Sequence, residues 1–178
     1  MKITNDDFWE IIKYNYDQIR YAEIKSSVVI SVYSLFLTIA YTIDILDEEN
    51  VYQLNFESIW DFIPLAIFIP ILYFTIQSFI NCIRCFLPRF NQSTLKSPLF
   101  FGDIANHYKN FDDYKDELKN LINRDHDEYQ EHLSHMVYVT GVIAFTKFQH
   151  VNKAIKSLIK SILCFILYLI IIFLFKLI

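Results

Sequence analysis

Three histidines and two cysteines are the first residues in this chain whose types and spacing could do chemistry. His126, His132 and His135 stand among Asp125, Asp127, Glu128 and Glu131. His132 and His135 are three apart and share a helical face, a spacing that suits a metal. The stretch is charged and solvated, and no second ligand set accompanies it, so no metal is expected. The His126–Asp127 pair matches a dipeptide of metal-dependent phosphohydrolases, but the other histidines and the aspartate of such a centre are not recognisable. Cys82-x-x-Cys85 has no second pair, so packing is a better reading than a zinc ribbon. No P-loop, GxSxG or dinucleotide fingerprint is present. The chain reads as a protein without catalysis and without a cofactor. A membrane-bound hydrolase using the His126–Asp127 region is the competing enzymatic reading.

Hydroxyl residues are more informative. Ser27, Ser31, Ser34, Thr38 and Thr42 recur at steps of four, three, four and four, forming one polar stripe on an otherwise apolar helix. Small hydroxyl side chains let helices approach closely and hydrogen-bond across the contact. The stripe is either a helix–helix interface, within one chain or between copies, or the lining of a water path in an assembled state. Thr75, Gln77, Ser78 and Asn81 place a second polar set further along, where Gln77 and Asn81 could extend that path. A third set is basic: Lys25, Arg84, Arg89, Lys153, Lys156 and Lys160. It suits anchoring to anionic headgroups, at about 1 kcal/mol per base, or a pocket for a small anion. PRF followed by PLFFGDI supplies a base, aromatic faces, a glycine backbone and a carboxylate. A cyclic mononucleotide needs that mixture. Its phosphate wants Arg or Lys, its base an aromatic face, and its ribose or base edge an acceptor such as Asp103.

The elements that must hold these residues follow from composition. The 178 residues make one domain or at most two small ones. Hydrophobic residues are 54% of the chain, and charged residues, at 20%, fall below the roughly 25% usual in soluble domains. Two glycines and four prolines argue for helices over strands and turns. The net charge of −4 argues against a nucleic-acid partner, and the three cysteines imply no disulfide framework. Charge-free runs occupy residues 26–43, 62–83 and 161–175. A bilayer core of about 30 Å needs about 20 apolar residues in a helix. The acidic MKITNDDFWE is not the start of a cleavable signal peptide.

The expected fold is therefore an all-α membrane protein: three transmembrane helices with a small cytoplasmic helical region. Its parts are a cytoplasmic amphipathic helix (1–25), a first span (26–45), an external acidic loop (46–61), a second span (62–83), a cytoplasmic helical sensor region (84–156) and a third span (157–178). Lys2, Lys13, Arg20 and Lys25 precede the first span, the 44–61 connection holds six acids and no base, and residues 84–160 hold eleven bases. The positive-inside rule then puts the N-terminus and residues 84–160 in the cytoplasm. Phe8, Ile11, Ile12, Ile19 and Ala22 share a face of the first helix, and Thr4 with Asp7 resembles a capping box. Tyr114, Leu118, Leu121 and Ile122 should face inward on a further helix. Pro70 should kink the second span. A helix over 127–178 would bend most readily at Gly141. The third span, nearly all Ile, Leu and Phe, should face lipid.

Three blocks together resemble the Pycsar transmembrane effectors of bacterial anti-phage defence. They are RYAEIKSS (20–27), LPRF with SPLFFGDIANHYKNFDDYKDEL (87–118), and IAFTKFQHVNKAIKSLI (143–159). Their order and their spacing to the spans match as well. The resemblance implies a bacterial inner-membrane protein that responds to a cyclic pyrimidine mononucleotide, cyclic CMP or cyclic UMP, made by a partner nucleotide cyclase. It then impairs the membrane and causes abortive infection. Motif positions carried over as ligand-binding candidates are Arg20, Lys25, Arg89, Phe101, Gly102, Asp103 and Lys147. Membrane lipids and further copies of the chain are the other expected partners. The alternative is a constitutive membrane anchor or interaction protein without ligand response.

Overall fold

The computed structural model describes residues 4–46, 62–87, 95–123 and 126–177. They form α1 (Asn5–Leu46), α2 (Phe62–Phe86), α3 (Phe101–His107), α4 (Phe111–Asn123) and α5 (His126–Leu177), with no strand among the described residues. The acidic connection (47–61), Pro88 and Arg89 lie outside the described residues. Helices α1, α2 and α5 are each long and apolar enough to cross a membrane. The chain divides into two compact units. Unit 1 is Met1–Ala22 with Leu87–Lys147, and unit 2 is Glu23–Phe86 with Phe148–Ile178.

Helix α1 starts where the Thr4 N–H and hydroxyl both donate to Asp7 Oδ2, at 2.7 and 2.8 Å. These bonds hold the Asp7 carboxyl below its ordinary value. α4 starts where Asn110 Oδ1 accepts from the Asp113 N–H at 3.2 Å, an N-cap of the usual residue type.

In unit 1 the buried core is Ile12, Phe100, Leu133, Met136 and Val139, with Phe8, Leu99, Tyr129, Val137 and Ile143 packed against it. Two expected inward residues face out: Ile11 is 46% exposed and Ile122 61%. Asn15 faces inward instead, donating to the Val137 carbonyl at 3.1 Å and to Thr140 Oγ1 at 3.0 Å.

Helix α5 continues through Gly141. A Cβ built on Gly141 would meet Asn15 Nδ2 at 3.6 Å, an ordinary contact. Gly141→Ala is therefore expected to stabilise the protein by about 0.4–1 kcal/mol, since alanine costs less backbone entropy in a helix interior. A higher melting temperature in detergent checks this, and a fall would mean that the contact is tighter than it looks.

Unit 2 packs α1, α2 and the second half of α5 around Val29, Tyr33, Cys82, Ala154 and Leu158. Ser78 donates to the Ala154 carbonyl at 2.9 Å, and the Thr75 and Ser161 hydroxyls are 2.8 Å apart. Pro70 lies inside α2 without ending it. The third span is only partly lipid-facing. Ser157, Leu158 and Ser161 are buried against the other helices, while Leu163, Ile166, Leu167, Leu169 and Ile170 are exposed. Small residues on the inner face let α2 approach closely, which hydropathy alone does not register.

Candidate functional site

The motif SPLFFGD folds in unit 1 as a turn that leads into α3. The Phe100 N–H donates to the Ser97 carbonyl at 3.2 Å, and the Asp103 and Ile104 N–H groups both donate to the Phe100 carbonyl at 3.0 Å. Asp103 is buried, and its Oδ2 accepts the backbone N–H of Ser97 at 3.0 Å. The Ser97 hydroxyl accepts from the Leu99 N–H at 3.3 Å and lies 2.9 Å from His132 Nδ1. A chain of polar contacts thus runs from α3 through the turn to α5. Gly102 is buried and has no positive φ. Phe100 is in the core, whereas Phe101 is 56% exposed, with ring centroids 5.1 Å apart.

Tyr108 closes the motif. Burial, then the charge and hydrogen bond of Glu117, then the charges of Asp103 and Tyr114, push its phenol from 10 up to about 12. The folded state therefore keeps this proton where the unfolded chain has lost it. The stabilisation is complete below pH 10 and is lost as pH rises through about 12. Thermal melts should show an alkaline loss of stability across that window that is smaller in Tyr108→Phe. Equal losses would mean that Tyr108 is not the group responsible.

Beside this turn lies a cleft of about 440 Å³ lined by Pro98, Asp113, Asp116, Glu117, Asn120, Leu121, Glu128 and His132. Its carboxylates disfavour a phosphate there, so an anionic ligand would need the basic candidates elsewhere. Of those, Arg20 is exposed and Lys147 is only 6% exposed, both in unit 1. Lys25 belongs to unit 2, its ammonium 5.2 Å above the Phe148 ring. Arg89 lies outside the described residues. The structure thus joins Gly102 and Asp103 in one turn.

The hydroxyl stripe lies wholly on the exposed side of α1. Ser27, Ser31, Ser34, Thr38 and Thr42 each donate to the carbonyl four residues back, at 2.8–3.1 Å. It is Ser26, beside the stripe, that meets α2, at 3.5 Å from the Cys82 carbonyl. Gln77 and Asn81 do not extend the stripe but reach α5, Gln77 Oε1 accepting from Ser157 at 3.3 Å. Among the described residues no group of three or more His, Cys, Asp and Glu converges as a metal site. The His126 side chain lies outside the description.

Set against known families, the chain matches the Pycsar effector protein domain over residues 7–175. The chain belongs to that family. It is accordingly an anti-phage defence effector and a membrane protein. The signal of the Pycsar family is a cyclic pyrimidine nucleotide made by a cyclase. No curated protein and no solved structure matches the chain. Sequence reading named His132 and quoted Ser97 in the motif without pairing them, and it missed Asn15 and Thr140. Asn15 carried a signal of its own, a polar residue at an apolar spacing.

Proposed function

We propose that this Pycsar effector binds cyclic CMP or cyclic UMP in the cytoplasm and responds by impairing the bacterial inner membrane, without catalysis and without a cofactor. The observation that carries this reading is the extent of the family match. It covers residues 7–175 and so includes the FFGDI turn together with all three helices able to cross a membrane. Four lysines and arginines before residue 26 and eight between residues 84 and 147, against none between 44 and 61, support a cytoplasmic N-terminus. Arg20, Lys25, Arg89, Phe101, Gly102, Asp103 and Lys147 remain the candidates for contact with the nucleotide. A ligand shifts a two-state equilibrium only by its differential affinity for the states. The resting state must therefore bind the nucleotide more weakly than the damaging one.

The test is a melting assay of the detergent-purified protein against cyclic CMP, UMP, AMP and GMP, paired with dye leakage from liposomes. At a ligand concentration 100 times Kd, binding stabilises by about 2.7 kcal/mol. A rise in melting temperature with cyclic CMP or cyclic UMP, larger than with the purines, is expected, with leakage only when that nucleotide is present. A flat response across the panel would sink the sensor, and leakage without nucleotide would sink the gating.

A further inference from the structure

Lys153, Lys156 and Lys160 are exposed on one narrow face of α5, at steps of three and four. Their depth follows from the rungs that join α5 to α2. Asn81 Oδ1 is 3.4 Å from His150 Nδ1, Ser78 bonds the Ala154 carbonyl, Ser157 bonds Gln77, and Thr75 meets Ser161. The lysines therefore stand level with the last third of the charge-free run of α2, which ends at Arg84. Thr75 is nine residues from Arg84, about 13 Å along a helix at 1.5 Å per residue. Half of the hydrocarbon core is about 15 Å. The Lys160 ammonium, 5.2 Å above the Phe74 ring, is held close to that depth. Among the described residues Lys153 and Lys156 have no ion-pair partner. Charged side chains at such depth normally face a bundle interior or a polar path. These face outward, toward whatever neighbours the helix in the bilayer.

The matching surface is on the same unit. Ser26 meets Cys82 and Tyr33 packs on Phe79, with centroids 5.0 Å apart, so α1 runs antiparallel to α2. α2 runs antiparallel to α5, hence α1 and α5 are parallel. The Lys25–Phe148 contact, at 5.2 Å, and the Phe36–Phe165 ring contact, at 6.3 Å, bracket their common level. Ser27, Ser31 and Ser34 therefore span the same depth as Lys153, Lys156 and Lys160. Each serine spends its proton on its own helix and keeps lone pairs free to accept, while an ammonium has three protons to donate and accepts nothing. Copies related by an axis along the membrane normal keep their depths, so the two rows can register. A two-fold pairing of α5 with α5 would instead set lysine against lysine.

We propose that the lysine row of one copy docks on the serine stripe of the next, head to tail, so that the effector assembles as a closed ring in the bilayer. This assembly does not depend on the nucleotide reading. The test uses the full-length protein carrying Cys164→Ser, oxidised in native membranes with and without cyclic CMP or UMP. Two rungs are probed separately: Ser31→Cys with Lys156→Cys, and Ser27→Cys with Lys153→Cys. A ladder of disulfide-linked species at successive multiples of the chain mass is expected from at least one pair, in at least one nucleotide condition, and from none of the single variants. A dimer from Lys156→Cys alone would mean two-fold pairing and overturn the ring. The absence of any linked species from both pairs would overturn it too, and is the result expected if anionic lipid headgroups cover the lysines. A flat nucleotide melting assay would leave a positive ladder standing.

Discussion

Leu133→Ala is expected to destabilise the protein by about 2–5 kcal/mol, the largest effect of any single truncation considered for this chain. Leu133 has 0% exposure and packs with Ile12 of α1, Phe100 of the turn, and Met136 and Val139 of its own helix. Elements from three separate stretches of sequence meet at this side chain. Removing it forfeits the transfer energy of the buried carbons and leaves a cavity that three elements cannot all collapse into. Leu133→Met, which nearly conserves volume, should cost less than about 1.5 kcal/mol. Chemical denaturation monitored by tryptophan fluorescence would separate the two, with Trp9 on α1 as a reporter. Indistinguishable midpoints would mean that unit 1 has no close-packed core at Leu133.

Asp103→Ala should cost about 1–3 kcal/mol in the absence of any nucleotide, the usual penalty for a buried donor left without an acceptor. The donor is the Ser97 backbone N–H, which gives its hydrogen to Asp103 Oδ2 at 3.0 Å. Losing that bond frees the turn whose next contact is His132. Asp103→Asn keeps an oxygen in place and should recover part of the loss. The pair separates two roles. If Asp103 only braces the turn, nucleotide response should follow stability across both variants. If it also contacts a ligand, Asp103→Asn should melt near the parent and respond differently. An unchanged melting temperature for Asp103→Ala would remove the bracing role.

What could be read directly from the amino acids was set by the solvent. A bilayer demands about 20 apolar residues per helix, so the three spanning helices announce themselves by the absence of charge. Local signals also served well: Thr4 with Asp7 does start α1. Side-chain facing was harder. The inward residues of α1 run Phe8, Ile12, Asn15, Ile19, Ala22, Ser26, Val29 and Tyr33, at alternating steps of four and three. Choosing by hydropathy admits Ile11 and rejects Asn15. Yet Asn15 belongs inside because α5, more than 120 residues away, offers it a carbonyl and a hydroxyl. The candidate site was legible as a motif but not as a geometry. The spacing of Ser97 and Asp103 cannot tell a carboxylate that braces a turn from one that awaits a ligand.

Cys82 and Cys85 are both fully buried, with the Cys82 thiol 3.8 Å from the Ser26 carbonyl, while Cys164 is partly accessible. Their chemical silence belongs to the closed packing and not to the sulfur. Any rearrangement that parts α1 from α2 would bare the Cys82 thiol to oxidation. The chain thus carries a latent redox liability that its closed packing conceals.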